Sequence, residues 1–318
     1  MISEKESTIT TTEGAACPVP SAASGPRGMG SDERRADKLI RLALMLCALF
    51  SVLAVLLITL MVFKEAYPAL REQGIWKMVS GLSWKPTSSN PRFGLLPMMA
   101  GTAAVTALSL IIGVPVGLAT AIYSSELASS RVASLVNRAS GVLAGIPSVV
   151  YGFFGLMVIV PAVRALGGTG MSVLSAGLVL SIMILPTVIS VSEAALRAVP
   201  SEYKEASLAL GSTKWQTIWH VAMPAAKSGI IASIVLAIGR AIGETMAVIL
   251  VAGNIPLIPT SLVSATRTLT VNIALEMAYI RPGTLHYSAL FASAAVLFAF
   301  IIVINLSVRL ITRGGKTR

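Results

Sequence analysis

Charged side chains are scarce in this chain: Asp, Glu, Lys and Arg together make up 12% of its 318 residues. A soluble globular domain carries about 25% charged residues, so too little charge remains here to cover a surface that faces water. Residues of the AVILMFWYC set make up 55% instead. The composition therefore excludes a soluble enzyme and disorder over most of the length, and it predicts an all-α integral membrane protein.

Cysteine and histidine are also scarce. The two cysteines, Cys17 and Cys47, are too few for a disulfide scaffold, and His220 and His286 lie 66 residues apart. We therefore expect no metal site. The formal net charge is +11, but no basic stripe with interleaved aromatic residues accompanies it, so nucleic acid is not expected as a partner. In so apolar a chain, Lys and Arg are typical of the flanks of membrane spans.

Six apolar stretches are long enough to cross a bilayer, for which about 20 residues suffice. They cover residues 42–63, 97–123, 139–163, 171–191, 228–253 and 287–310. The first is too long for the apolar region of a signal peptide and is expected to persist as a span in contact with lipid. The segment before it, residues 1–37, is rich in Ser, Thr, Gly, Pro and charge, which predicts a disordered cytoplasmic tail.

These spans define the domain organisation. Residues 38–92 hold the first span and an extracytoplasmic loop, residues 93–312 form the transmembrane core, and residues 313–318 form a second cytoplasmic tail. With both termini inside, the inner segments near the spans hold 14 Lys and Arg residues and the outer loops hold 8. This excess favours cytoplasmic termini. The role of Glu276 and the side of the membrane on which it lies stay open.

Small residues recur at four-residue spacing within the spans, a pattern that lets helix backbones approach closely. The pairs are Gly113 and Gly117, Gly141 and Gly145, and Gly239 and Gly243. We interpret all three pairs as ordinary packing inside one chain.

The sequence contains no G-x-x-x-x-G-K-[ST] loop, G-x-S-x-G elbow or H-E-x-x-H motif, so neither enzymatic activity nor a cofactor is expected. Its one intramembrane ionisable pair is Arg240 and Glu244. A spacing of four predicts that the two share a helix face and pair, although each costs about 2.5–3.5 kcal/mol at a helix centre. The pair either joins helices or lines a path for a charged solute, and the planar fork of arginine suits an oxyanion.

The segment 192–227, between the fourth and fifth spans, predicts two short helices at the cytoplasmic surface. Pro200 begins the first helix and Gly211 ends it in a left-handed turn. Ser212 caps the second helix, and Pro224 opens the next span. One face of the second helix is expected to carry Trp215, Ile218 and Trp219.

This segment resembles the EAA loop of binding-protein-dependent ABC importer permeases, which reads E-A-A, three residues, G, nine residues, I-x-L-P. The matching residues are Glu205-Ala206-Ser207, Gly211 and Val221-Ala222-Met223-Pro224. Ser207, Val221 and Met223 depart from the pattern only mildly. The segments 145–152, 239–248 and 285–290 further resemble the phosphate importer permeases of the PstC type, and the likeness covers about residues 93–310.

The resemblance implies a type I ABC importer permease fold with a MetI-like core of five helices and the first span wrapped outside, in a bacterial plasma membrane. It implies four partners: a PstA-type sister permease, two PstB-type ATPase subunits that use the ATP, and a PstS-type phosphate-binding protein. It assigns Arg240 and Glu244 to transport and the loop residues to ATPase coupling, of which we select Glu205, Ala206, Gly211 and Pro224. Ser148 and Tyr151, near a glycine–proline break, are further candidates for the substrate pathway.

Three alternatives stay open at this stage. The solute could be another oxyanion, such as molybdate, tungstate or sulfate. The chain could serve as a membrane sensor or scaffold, or report transport to a phosphate-sensing kinase. It could also be a channel or secondary transporter, but this would leave the EAA-like spacing unexplained.

Overall fold

The computed structural model describes the backbone of residues 31–313 and the side chains of residues 39–306. Most of the tail predicted for residues 1–37, and the last five residues, lie outside the described residues. The chain forms two compact units, residues 1–57 and 58–318. What is described of the first unit is the beginning of one apolar helix, whose side chains from Leu39 onward are largely exposed.

Over the described residues the chain is mainly helical. The first half contains α1 (Ser31–Gln73), α2 (Ile75–Ser80), α3 (Leu96–Ile122), α4 (Ser130–Gly145), α5 (Ser148–Phe154) and α6 (Val160–Arg164). The second half contains α7 (Val173–Arg197), α8 (Ser201–Ala209), α9 (Lys214–Thr217), α10 (Met223–Gly243), α11 (Met246–Val251), α12 (Leu269–Met277) and α13 (Leu285–Arg313). Two short antiparallel strands, β1 (Trp84–Lys85) and β2 (Arg92–Phe93), precede α3.

Six membrane-crossing segments follow from these helices. Five are long and apolar enough by themselves, and α4 with α5 and α6 forms the sixth as a bent pair. This confirms the predicted number of spans. Helix α1 is longer than predicted at both ends: it begins at Ser31, inside the segment assigned to the tail, and continues to Gln73 in the segment assigned to the outer loop.

The third span is not the straight helix that its apolar run predicts. Helix α4 already begins at Ser130 and ends at Gly145, and the chain turns by 95° before continuing from Ser148. Ile146 is extended, with φ −70° and ψ 128°. A residue before proline is disfavoured in the helical region, so Pro147 accounts for the bend.

The fifth span also differs from its prediction at both ends. A π-helical stretch, Ile218–Ala222, joins α9 to α10, so one continuous helix runs from Lys214 to Gly243 and does not restart at Pro224. It ends at Gly243, ten residues before the predicted end at Gly253. Glycine is a poor helix former, and Glu244, which follows it, is extended at φ −72° and ψ 129°.

Helices α3 and α7 form the centre of the second unit. A Cβ atom placed on Gly113 would lie 2.7 Å from Ile184 Cδ1, and one on Gly117 would lie 2.8 Å from Val188 Cγ1. Ile184 and Val188 are fully buried. This glycine pair therefore serves close packing inside the chain, as predicted.

Candidate functional site

Arg240 lies on the stretch of α10 that packs against α7. Nearer the start of α10, the hydroxyls of Ser192 and Ser233 join the two helices at 2.8 Å. Further along, Arg240 Nη1 contacts Thr187 Oγ1 at 3.5 Å. Thr187 is ten residues from the end of α7, which is about 15 Å along a helix. The half-buried guanidinium therefore lies well inside the bundle rather than at its polar end.

Glu244 does not pair with Arg240, and the prediction of a shared helix face is wrong. Helix α10 ends at Gly243, between the two residues, so the four-residue spacing no longer places their side chains together. Glu244 Oε1 instead accepts the backbone N–H of Ala247 at 3.1 Å, and its carbonyl accepts from Thr270 Oγ1 at 3.0 Å. Of the ion pairs formed by the described side chains, none involves Arg240 or Glu244.

Tyr151 lies next to these residues and is buried. Its hydroxyl donates to the carbonyl of Leu143 at 2.7 Å, which bridges the bend between α4 and α5. Its ring belongs to the same cluster of buried hydrophobic residues as Ala241 of α10 and Ala247 of α11. The next residue, Gly152, faces α11 so closely that a Cβ there would lie 2.8 Å from Ala247 Cα. Tyr151 thus lies where α5 packs against α11, near the end of α10 that carries Arg240 and precedes Glu244.

Ser148 is the first residue of α5 and is half-buried beside the bend. It lies three residues, just under one turn, before Tyr151 on this helix. The structure therefore places Tyr151 in the core near the end of α10 and leaves Ser148 at the margin of this region.

Two glycines beside Arg240 face open space. A Cβ placed on Gly239 or Gly243 would have no atom of the chain within 4 Å, and the same holds for Gly141 and Gly145. Packing inside the chain therefore explains the pair at 113 and 117 but not these two pairs, which corrects our interpretation. The face of α10 next to Arg240 is not covered by the described residues.

Helices α8 and α9 form a hairpin at the end of the bundle where α7 ends, close to its predicted form. Helix α8 begins after Pro200, and Gly211 follows it with φ +86°, the left-handed turn predicted for it. The cap of α9 is Thr213 rather than Ser212. Its side chain accepts from Gln216 N at 3.3 Å while Gln216 Oε1 accepts from Thr213 N at 2.8 Å, so the two residues form a capping box.

The outer surface of this hairpin is partly apolar. Leu210 is 88% exposed, Trp215 56% and Trp219 48%. The two indoles contact each other edge to face, with ring centroids 5.9 Å apart. Ile218 is buried rather than on their exposed face, which differs from the prediction, and the π-helical stretch begins at this residue.

The remaining predicted loop residues are accessible. Glu205, Ala206 and Pro224 are exposed. Beside them, Leu210, Gly211 and His220 help to line a shallow groove of about 320 Å³. The hairpin therefore presents the matched loop residues on an open surface suited to a protein partner.

A polar network at the opposite end of the bundle was missed by sequence reasoning. Glu276 Oε1 accepts from Trp84 Nε1 at 2.7 Å and from Arg267 Nη1 at 3.0 Å, and its Oε2 lies 2.7 Å from His286 Nε2. The backbone N–H of Val173, at the start of α7, bonds into the same loop region at Ser264. The network ties β1, α12 and α13 together. The only available sequence signal was a set of ionisable residues flanking the last spans.

Six candidate membrane spans, a guanidinium without an ion pair within one of them and an exposed amphipathic hairpin are typical of a polytopic membrane transport protein. A family model described as "Binding-protein-dependent transport system inner membrane component" matches residues 113–315. The chain belongs to this family and is a multi-pass membrane component of a binding-protein-dependent transport system.

Curated relatives agree with this assignment. The chain is 38% identical over 273 residues to the "Probable ABC transporter permease protein YqgH" of Bacillus subtilis, covering 83% of this chain and 88% of that protein. It is 33% identical over 277 residues to the "Phosphate transport system permease protein PstC" of Xylella fastidiosa (strain 9a5c), covering 80% and 85%.

Solved structures show the same fold. A chain of the bacterial alginate ABC transporter, solved with a pentasaccharide-bound periplasmic protein, aligns with TM-score 0.62 at 17% identity and covers 90% of this chain and 98% of that chain. A chain of the inward-facing MetNI methionine ABC transporter aligns with TM-score 0.54 at 20% identity, covering 76% and 98%. The predicted type I importer permease fold is confirmed.

Proposed function

We propose that this chain is a permease subunit of an ATP-driven importer of inorganic phosphate. The observation that carries the proposal is Arg240: a guanidinium inside the bundle, with no ion-pair partner among the described side chains and with open space beside it at Gly239 and Gly243. A cation costs about 2.5–3.5 kcal/mol at the centre of a span, so an unpaired one is typical of a site for an anion in transit. The PstC relatives support phosphate as that anion.

Arg240 would offer charge and a planar set of donors to the passing oxyanion. Tyr151 keeps its hydroxyl on Leu143 and shapes the site beside Arg240. Glu244 has a different role from the one its spacing suggests: it accepts the Ala247 N–H and holds the start of α11. Because no carboxylate forms an ion pair with Arg240, its guanidinium can bind phosphate directly. Phosphate that makes only a moderate number of contacts with the site can also leave it.

The α8–α9 hairpin would couple this chain to ATPase partners. The predicted contact residues are Glu205, Ala206, Gly211 and Pro224, and all four are exposed. Closure of two PstB-type ATPases would move the hairpin, and rigid helix motion would switch the cavity from outward-facing to inward-facing. A PstA-type permease would complete the path, and a PstS-type protein would deliver phosphate. ATP is then used by the partners, and this chain needs no cofactor of its own.

The orientation belongs to the same proposal. A hairpin that couples to ATPases would lie in the cytoplasm, and both termini would then lie there as well, in agreement with the distribution of Lys and Arg. The Glu276 network, at the other end of the bundle, would then face outside. The compartment proposed is the bacterial plasma membrane.

The test is uptake of labelled phosphate by vesicles containing the complete complex. Arg240→Ala should lower uptake by about tenfold or more, since hydrogen bonds to a charged group contribute about 1.5–3 kcal/mol. Arg281→Ala, at an exposed position in the loop before α13, is the matched control and should leave uptake unchanged. Normal uptake by the Arg240 variant would contradict the proposal.

Competition in the same assay addresses the alternatives. If labelled sulfate or molybdate is taken up faster than phosphate, the transported solute is that oxyanion and not phosphate. Phosphate uptake that continues without ATP would indicate a channel or a secondary transporter.

A further inference from the structure

A polar groove lies at the hairpin end of the bundle, away from Arg240. It has a volume of about 690 Å³ and is formed by the π-helical turn that follows α3 (Tyr123–Leu127), the first half of α4 and the end of α7. Its polar lining includes Ser124, Ser125, Ser130, Ser134, Arg138 and Arg197. Four hydroxyls and two guanidinium groups therefore converge on one opening.

Arg138 gives the Arg138–Arg197 groove its net positive charge, because Glu193 offsets the charge of Arg197 in an ion pair. Arg197 is half exposed, and its Nε and Nη2 donate to Oε1 of the buried Glu193 at 2.9 and 2.8 Å. Arg138 uses only its Nε, which donates to the Ser134 carbonyl at 3.3 Å. No Asp or Glu is among the described side chains that line the groove. Arg197 Nη2 also donates to the Ser124 carbonyl at 3.4 Å. The donors that remain for a ligand are thus the two terminal nitrogens of Arg138 and Nη1 of Arg197.

The nearby carboxylate of Glu126 does not offset this charge. It forms an ion pair with Lys204 of α8 at 2.7 Å, and both side chains are largely buried. This pair is neutral and ties the groove to the hairpin.

Two further features suit an anion. Helix α4 is 16 residues long and begins at the groove, and Ser129 at its N-cap makes no side-chain cap hydrogen bond, so its first N–H groups are left for another acceptor. Independently, the Ser124 hydroxyl is buried, lines the groove and has no hydrogen-bond partner. A buried polar group without a partner is costly, and a bound ligand would satisfy it.

We propose that the Arg138–Arg197 groove binds a phosphate group, as a second anion site separate from Arg240. Paired guanidinium groups, serine hydroxyls and a helix N-terminus are the donors that phosphate oxygens prefer. The phosphate belongs either to inorganic phosphate or to the headgroup of an anionic lipid. This inference rests on the proposed function only where it names inorganic phosphate as the transported product that is released on this side of the membrane. Phosphate bound in the groove would then signal the product concentration to the hairpin through α8.

Protection of a single cysteine tests the site directly. Cys17 and Cys47 are replaced by Ser, Arg240→Ala removes the proposed pathway site, and Ser134→Cys places a thiol at the groove. The purified permease–ATPase complex is labelled with a charged maleimide in the presence of inorganic phosphate, or of chloride at equal ionic strength. Ser201→Cys, exposed at the start of α8, is the matched control.

We expect inorganic phosphate to slow labelling at position 134 by about tenfold, but not at position 201. Adding Arg138→Ala should abolish this protection. The Arg138→Ala substitution leaves the ion pair between Arg197 and Glu193 intact, so we expect the variant to fold. Because the background carries Arg240→Ala, the outcome is independent of transport.

A lipid arm separates the two sources of phosphate. Without added inorganic phosphate, the complex is placed in nanodiscs of phosphatidylcholine alone or with phosphatidylglycerol. Protection by the anionic lipid that is lost with Arg138→Ala assigns the groove to a headgroup. The proposal is overturned if neither source protects, if protection survives Arg138→Ala, or if position 134 is blocked in every condition, as a subunit seated in the groove would cause.

Discussion

The separation of Arg240 from Glu244 predicts that the two residues contribute to stability independently. Arg240 contacts Thr187 on α7, whereas Glu244 accepts the Ala247 N–H at the start of α11. The two side chains share no partner, so the effects of their substitutions should add. The interaction energy in a double-mutant cycle with alanine should stay within about 0.5 kcal/mol.

The single substitutions should act differently. Glu244→Ala removes the carboxylate that accepts the Ala247 N–H at the start of α11, and the loss of such an acceptor at a helix start costs about 1 kcal/mol. Arg240→Ala removes a cation that costs about 2.5–3.5 kcal/mol to place at a span centre. We therefore expect it to leave the unfolding free energy unchanged or to raise it, while uptake fails. This dissociation of stability from transport is typical of a functional residue.

The charge-swapped variant, Arg240→Glu with Glu244→Arg, sharpens the test. A true pair four residues apart on one helix face tolerates reversal at small cost. Here the swap sets a carboxylate against Thr187 and removes the cap of α11, so neither stability nor uptake should recover. The unfolding free energy of the purified complex and labelled-phosphate uptake are measured on the same preparations.

Arg197 and Glu193 provide the matched control, since they are also four residues apart and do form an ion pair at 2.8 Å. Their cycle should give an interaction energy of about 0.5 kcal/mol or more. An interaction energy above about 1 kcal/mol between Arg240 and Glu244, or recovery of uptake in the swapped variant, would refute the reasoning.

Three further predictions concern the hairpin and the Glu276 network. Gly211→Val forces a branched side chain to φ +86°, which costs about 1–2 kcal/mol, so ATP-driven uptake should fall while the protein still inserts; uptake at the parent rate would contradict this. A cysteine at Ser212 should stay unlabelled by an impermeant reagent in intact cells and react once they are opened; reaction in intact cells would reverse the proposed orientation. Glu276→Gln removes the charge facing Arg267 and His286, and the unfolding free energy should drop by about 1–3 kcal/mol, seen as a lower melting temperature; Glu65→Gln, at an α1 position outside this network, is the control, and equal stability of the two variants would count against it.

Much of the fold could be predicted from the sequence because membrane spans are set by local composition. Apolar runs gave the number of spans, and the glycine pair at 113 and 117 packs as expected. The 95° bend was not predicted, although Pro147 was its visible cause, because the apolar run continues through the bend. Hydropathy measures length and composition and does not register backbone direction.

The candidate site was predicted only in part. Spacing placed Gly211 in its left-handed turn, since that conformation depends on neighbouring residues alone. The prediction that Arg240 and Glu244 pair was wrong because the four-residue spacing rule assumes a continuous helix, and this helix ends at Gly243. The bond between Trp84 and Glu276 joins residues 192 positions apart. Such contacts depend on how the spans assemble, and no local pattern in one sequence reports them.

The end of α10 also bears on the proposed mechanism. One continuous helix of 30 residues runs from Lys214 in the hairpin to Gly243, a length of about 45 Å. A helix transmits displacement along its axis, so movement of the hairpin reaches Arg240 through backbone alone. The next residues, Glu244 and Thr245, leave the helical path before α11 begins. In the proposed cycle, Arg240 therefore moves with the hairpin, whereas α11, held by Glu244 and packed against α5, does not have to follow.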